Sequence, residues 1–241
     1  PSYNNPVTIR RVVLAVREHV PDVIVVDDGS AEEGRAAIAA LAEEGIATVH
    51  HRTRNGGKGA AVKDALRLAR DAGFTHALQV DADGQHTLTD IPRMLSASRA
   101  APAALVLGMP VFDETAPKAR VVGRRITIFW TRLEVGGGAI ADPMCGFRIY
   151  PLPISADVTV WGDRMDFDPE IAVRLVWEGV PTRNVETRVR YVSAEEGGVS
   201  HFHAFKDNVL ISLMHSRLMT LKIMRFLFGW LWRKPRGRLP S

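Results

Sequence analysis

Two aspartates with one residue between them, Asp81 and Asp83, directly follow the apolar run THALQV. If that run is a strand and its backbone stays extended, both carboxylates leave the same face at its end, where they can share one hard cation. Mg2+ or Mn2+ takes oxygen ligands and keeps positions for water and substrate phosphates, so two carboxylates with the Gln85 amide as a third donor suffice. The competing reading is a solvated turn in which Asp83 and Gly84 are only turn residues. Upstream, Asp27 and Asp28 end the β-branched run from Val23 to Val26, with Gly29 and Ser30 behind them. Carboxylates there can accept hydrogen bonds from a ribose or a base. They can equally favour the positive end of a helix that Ser30 caps. Asn55, Gly56, Gly57, Lys58 and Gly59 make a turn into a helix, where amides and one ammonium can approach phosphate. The spacing of a P-loop is absent, and an ordinary loop explains these residues as well.

These groups need a frame, and the chain supplies an alternating one. The β-branched run is followed by AEEGRAAIAALAEEG, rich in helix formers and closed by Gly45; IATVHH precedes the Gly-rich turn and the helix AAVKDALRLARDAG; THALQV is the third strand. A helix near Asp90 to Ala100 and a strand AALVLG follow. Strands alternating with helices predict an α/β fold with a mostly parallel, Rossmann-like sheet flanked by helices, and ligands beyond the carboxyl ends of its strands. The polar motifs fall at those ends.

From Met109 onward MPVFDETAPKARVVGRR reads as a loop leading into a helix, and DPMCGFRIYPLP as turn-rich. DPEIAVRLVWEGV reads as an amphipathic helix and TRNVETRVRYV as a half-buried strand. Lys118, Arg120, Arg124 and Arg125 read as a solvated basic helix face. Asp166, Asp168 and Glu170 are the candidate catalytic carboxylates. Asp168 is the favoured base if the acceptor is a hydroxyl, and an N-cap ahead of Pro169 is its bland alternative. His201 and His203 can add a metal ligand or a phosphate contact. Cys145 reads as a small core residue, and Trp161, Trp177 and Phe167 as core.

The chain has 241 residues, 46% of them hydrophobic, which suits one large domain with a full core. A single cysteine excludes an intramolecular disulfide framework and leaves a cytoplasmic location as the expectation. PSYNNPVTIRRVVLAV lacks the features of a signal peptide, and a first strand is expected to have lost residues ahead of PSYNN. After Asp207 no acid remains, while seven basic residues alternate with Leu221, Ile223, Met224, Phe226, Leu227, Phe228, Trp230, Leu231 and Trp232. That mixture fits a membrane surface rather than a nucleic acid, and it lacks the roughly 18 uninterrupted apolar residues of a span. The expected organisation is a catalytic domain over 1–204 and a membrane-associating helical tail over 205–241, peripheral on the inner face of the cell membrane.

In this order PSYNN, VVDDGS, NGGKGAA and VDADGQH resemble the motifs of family 2 glycosyltransferases of the GT-A fold, and VDADGQH is very like that of dolichyl-phosphate-sugar synthases. The resemblance covers nearly the whole chain. RMDFDPEIAVRLVWEGV and the start of the tail look like bacterial members associated with aryl-polyene pigment lipids. What the resemblance implies is an inverting transfer from a nucleoside-diphosphate sugar to a lipid-linked or hydrophobic acceptor, with Mg2+ or Mn2+ as cofactor. It places Pro1, Tyr3, Asn4, Asp27, Asp28, Gly29, Asn55, Gly57, Lys58, Asp81 and Ala82 at the donor, and Asp81, Asp83 and Gln85 at the metal. DPMCGFRIYPL is similar to the family's D-x-x-x-GFR segment, which implies Arg148 near the acceptor. The chain departs from the pattern in two places: Gly108, Met109 and Pro110 stand where polyprenyl-phosphate members have G-S-R, so that the resemblance leaves Lys118, Arg120, Arg124 and Arg125 as substitute contacts to the acceptor, and the usual glutamate-aspartate base pair is absent. The rival readings are a polyprenyl-phosphate glycosyltransferase, a membrane-bound scaffold without turnover, and a nucleotidyltransferase that releases pyrophosphate.

Overall fold

The runs VIVV, IATVHH and THALQV each contain a strand. The computed structural model describes residues 1–112, 118–189 and 204–228. Strands β1 (Ile24–Asp27) and β2 (Thr48–His51) pair in parallel, with Asp27 opposite His51, and α2 (Glu32–Glu43) makes the crossover. Helix α3 (Lys58–Asp71) leads to β3 (His76–Gln79), and α4 (Ile91–Ala100) leads to β4 (Leu105–Phe112). The strand β4 runs four residues past the predicted end, through Met109 and Pro110, because β6 (Thr182–Val189) lies parallel beside it over eight residue pairs. Pro110 is tolerated there opposite Thr187.

One strand breaks the parallel expectation. Helix α5 (Lys118–Val135) is followed by a loop that delivers β5 (Arg148–Pro151), and β5 runs antiparallel between β3 and β4 in the order β3-β5-β4-β6. Its first residue, Arg148, lies opposite Gln79 of β3 and Leu107 of β4. The strand therefore begins beside the carboxyl end of β3 and must run backwards along it. The turn-rich reading of DPMCGFRIYPLP missed it because only four residues are extended.

The N-terminal helix α1 (Ile9–Arg17) buries Ile9, Val12, Val13 and Val16, a helical spacing that its β-branched composition disguises. Helix α6 (Ile154–Asp157) is a single turn, and α7 (Phe167–Trp177) follows. The amphipathic reading of α7 does not hold, since every residue from Phe167 to Val173 is buried. Helix α8 (Ala204–Leu227) puts Ile211, Met214 and Leu218 into the main core with Leu105, Tyr150, Phe167 and Leu175. A boundary at 204/205 thus falls at the start of a helix whose first turns are part of the domain.

Glu170 ties α7 to its surroundings. Fully buried, it accepts hydrogen bonds from the Trp161 and Gly162 amides at 3.2 and 2.8 Å and from Arg174 at 2.7 Å, and it pairs with Arg217 of α8. Removing one member of such a buried network leaves the other charges uncompensated, at a cost of about 3 kcal/mol. Glu170→Ala is expected to lower the melting temperature by roughly 6–12 °C in a thermal scan.

Trp161 is not core. It is 54% exposed, and the guanidinium groups of Arg174 and Arg217 lie over its ring at 5.1 and 4.7 Å. Phe167 is core, and Trp177 packs against it half-buried. A cavity of about 310 Å3 separates the facing sides of β1 and β3, lined by Val12, Val16, Ile24, Val25 and Leu78 among others, and Ser2 bridges Asp27 in parallel beside it.

Candidate active site

The first donor motif is tied together by its own carboxylates. Asp27, at the end of β1, is fully buried and accepts from the Ser30 amide at 2.9 Å, while its second oxygen contacts His51 Nδ1 at 2.9 Å. Burial pushes the Asp27 carboxyl up, but the hydrogen bonds from Ser30 and His51 outweigh it and hold the group below its usual value. Asp28 accepts from Arg52 at 2.6 Å and from the Gly56 and Gly57 amides at 2.9 and 2.7 Å. It therefore shapes the NGGKG turn. Gly57 has φ 105° and lies against the Asp163 carbonyl, so no side chain fits there. Asn4 takes φ 51°, donates its amide to Ser30 Oγ and accepts from the Ala31 amide, which docks the PSYNN segment on the start of α2. Tyr3 is half-buried, Gly29 has φ 76°, and Asn55 is exposed.

Lys58 opens α3 and turns its ammonium into the end of β3. Its Nζ lies 2.8 Å from Asp81 and 2.9 Å from Asp168. Burial alone would lower the Lys58 pKa, but Asp168 and Asp81 together raise it, so the group is a fixed cation. Asp81 responds in kind: burial pushes it up, and Lys58 and His86 overcome this and hold it well below the carboxylate range. Asp83 is pushed up by burial and by the charge of Asp81.

The backbone does not stay extended past Asp81. It turns through Ala82, Asp83 and Gly84, the last at φ 72°, so the same-face argument fails and a turn brings the two carboxylates near each other instead. Asp83 accepts from the Gln85 amide at 3.0 Å, and the buried Ala82 accepts from Thr8 Oγ1 at 2.6 Å, which fastens the turn to α1. Among the described residues no three His, Cys, Asp or Glu side chains gather as a closed metal site. The two neighbouring carboxylates of Asp81 and Asp83 suit a hard cation that keeps the rest of its sphere for phosphate and water.

The 142–148 loop closes over this cluster. Arg148 is fully buried, and its three guanidinium nitrogens donate to the carbonyls of Cys145, Asp168 and Pro143 at 2.7, 2.6 and 2.5 Å. It supports the loop from beneath rather than facing an acceptor. Asp142 accepts from the Met144 and Cys145 amides and from Arg124 of α5 at 2.8 Å. Cys145 is core as expected, its thiol pushed up to about 11 by burial. Gly146 then passes so close that a Cβ would stand 2.4 Å from Asp81 and 2.5 Å from Lys58. Those are flexible side-chain ends, so Gly146→Ala should fold normally while displacing both groups. About a tenfold loss of turnover with an unchanged melting curve is the expected outcome.

Asp168 is 3% exposed, with one oxygen on Lys58 and the other without a hydrogen-bond partner among the described residues. Asp166 precedes α7 and accepts from the Arg164 amide at 3.0 Å; burial pushes its carboxyl up. It does not join the Lys58 cluster. Arg125 is exposed. The side chains of Lys118 and Arg120, together with His201 and His203, lie outside the described residues. Sequence reasoning missed His86, whose Nε2 is 3.5 Å from Asp81 and whose ring packs on Phe147. Its place five residues after Asp81 was the available signal.

Residues 1–151 match the family described as glycosyl transferase family 2. The chain belongs to glycosyl transferase family 2. Within this family it is 38% identical over 163 residues to an undecaprenyl-phosphate mannosyltransferase of Micrococcus luteus, covering 62% of this chain and 63% of the relative. It is 32% identical over 159 residues to a polyprenol monophosphomannose synthase of Mycolicibacterium smegmatis, with coverages of 62% and 59%. The chain spans less than two thirds of the length of these two relatives. Over 235 residues it is 28% identical to glycosyltransferase AglJ of Haloferax volcanii, 95% of this chain and 73% of that one. Glucosyl-3-phosphoglycerate synthase from Mycobacterium tuberculosis, solved with Mn2+ and UDP-glucose, superposes with a TM-score of 0.63 at 16% identity, over 93% of this chain and 76% of the other. This family 2 chain thus has the GT-A fold, a parallel-rich sheet flanked by helices.

Proposed function

We propose that this protein transfers a sugar from a nucleoside-diphosphate sugar to a lipid-linked acceptor, with a polyprenyl phosphate as the acceptor class. The observation that carries the reading is the convergence of Asp81, Lys58, Asp168 and Gly146 at the end of β3, with Asp83 one turn away. The names of the Micrococcus and Mycolicibacterium relatives support the acceptor, and the UDP-glucose in the mycobacterial neighbour supports the donor.

Asp81 and Asp83 would hold Mg2+ or Mn2+, and Gln85 is the further oxygen donor this reading proposes. A divalent cation bound there offsets the negative charge that gathers on the departing diphosphate. The NGGKG turn approaches the donor with its amides, and Lys58 can exchange one carboxylate partner for a phosphate oxygen. The acceptor oxygen attacks the anomeric carbon, the bond to the diphosphate breaks, and its electron pair leaves with the nucleotide; inversion follows from a single displacement. A phosphate nucleophile is already anionic and needs no strong base, so Asp168 then serves to hold Lys58. A hydroxyl acceptor would instead give its proton to Asp168. Arg125, exposed on α5, is the acceptor contact that this reading proposes. The C-terminal helix brings the enzyme to the inner face of the membrane; among the described residues no helix is long and apolar enough to cross one.

The test is transfer from radiolabelled GDP-mannose and UDP-glucose, with Mn2+, to a short polyprenyl phosphate in detergent. The reading predicts label in the organic phase and nucleoside diphosphate released only when the lipid is present. Glycosylation of a soluble hydroxyl compound in place of the lipid would overturn it.

A further inference from the structure

Helix α5 exposes Val122, Ile126, Phe129, Trp130 and Leu133, between 38% and 57% accessible, at the spacing of one helical stripe. Among the described side chains of α5, the exposed charged ones are Arg125 and Arg132; its one acid, Glu134, is buried against His215 of α8 at 2.7 Å. Helix α8 continues the pattern. Its outward positions carry Val209, Leu213 and Ile223, and its one acid, Asp207, is buried. The outward hydroxyls of Ser212, Ser216 and Thr220 donate to the carbonyls four residues earlier at 2.8, 2.9 and 2.9 Å, so they need no water. Lys222 reaches the Leu133 carbonyl, which sets the turn of Leu133 against the turn of Ile223.

A stripe of large apolar side chains whose exposed charged neighbours, among the described residues of the two helices, are all basic is foreign to a water-facing helix and matches one that lies in a lipid interface. From this we infer that α5, joined to α8, is the face by which the protein lies on an anionic bilayer. The inference rests on the lipid-acceptor reading and names a surface for it beyond the C-terminal tail. Charge selects the occupant: a second copy docked on the same face would bring Arg125 and Arg132 towards their own counterparts with no exposed acid on either helix, whereas anionic headgroups neutralise them. The geometry also gives the docking a route to the site. Arg124, one residue from Arg125, holds Asp142, and Asp142 holds the amides that lead to Gly146 beside Asp81 and Lys58.

Sedimentation with phosphatidylcholine vesicles, with and without phosphatidylglycerol, tests the inference on the whole chain and on Ile126→Asp/Phe129→Asp. Both residues are exposed, so binding of GDP or UDP with Mn2+ should be retained, which checks folding and the donor site separately. The wild type should partition about tenfold more strongly onto the anionic vesicles, and the double variant should lose about tenfold or more of that binding. If the aspartate pair melts early, Ile126→Ser/Phe129→Ser carries the same test. A double variant that sediments like the wild type overturns the inference, as does a wild type that ignores anionic vesicles. A wild-type dimer that the substitutions split, without vesicle binding, would assign the face to a second copy and also overturn it. A wild type that transfers sugar to a short detergent-dispersed acceptor but does not sediment with anionic vesicles would refute the surface and leave the proposed function standing.

Discussion

Asp81→Asn is expected to lower sugar transfer, read as product release with donor and Mn2+, by about a thousandfold and to abolish metal-dependent nucleotide binding, read by calorimetry. Two roles fail together. The substitution removes a ligand whose burial would neutralise it were Lys58 and His86 not holding it anionic, and it leaves Lys58 with Asp168 as its one carboxylate partner. Acidification acts through the other carboxylate. Asp83 is raised by burial and by the charge of Asp81, so it takes up a proton before Asp81 does. The cation needs the ionised form, and its affinity therefore falls as pH drops through the raised Asp83 value, beginning above the range of an ordinary carboxylate near about 4. Titration of Mn2+ at a series of pH values reads this directly; a metal affinity constant down to that range would contradict it.

The second large effect is expected at Asp168. Asp168→Asn keeps the shape of the side chain but removes the charge that faces Lys58 from α7. With a phosphate acceptor the loss is one of position, and turnover falls about a hundredfold while nucleotide affinity changes little. The acid limb of the pH-rate profile should be the same in the variant as in the wild type. If that limb disappears and the loss reaches about ten-thousandfold, Asp168 is a general base and the acceptor is a hydroxyl.

The donor side of this site was legible because its chemistry is local. Asp81 and Asp83 follow a strand, Lys58 opens a helix after glycines, and the alternation of strands and helices places all three at one edge of the sheet. What could not be read were contacts made across the chain. Nothing in the spacing shows that Asp168 meets Lys58, since they stand on helices more than 100 residues apart; nor that β5 runs antiparallel and carries Gly146 into the cluster. Arg148 illustrates the opposite error. As a residue type it suits an anionic acceptor, but its guanidinium is fully buried in three carbonyl contacts, a role that only the folded loop reveals. Trp161 was misplaced for a related reason: composition assigns tryptophan to the core, and here two arginines held near Glu170 cover an exposed ring.

The most direct measurement of the central claim is calorimetric titration of UDP and of GDP, each with Mn2+ and with EDTA, into the wild type and Asp83→Ala. The account predicts that one nucleotide binds the wild type only with Mn2+ and that the variant, still folded, loses this binding. Nucleotide binding that is indifferent to EDTA and to the substitution, or no binding to intact wild type, would contradict it.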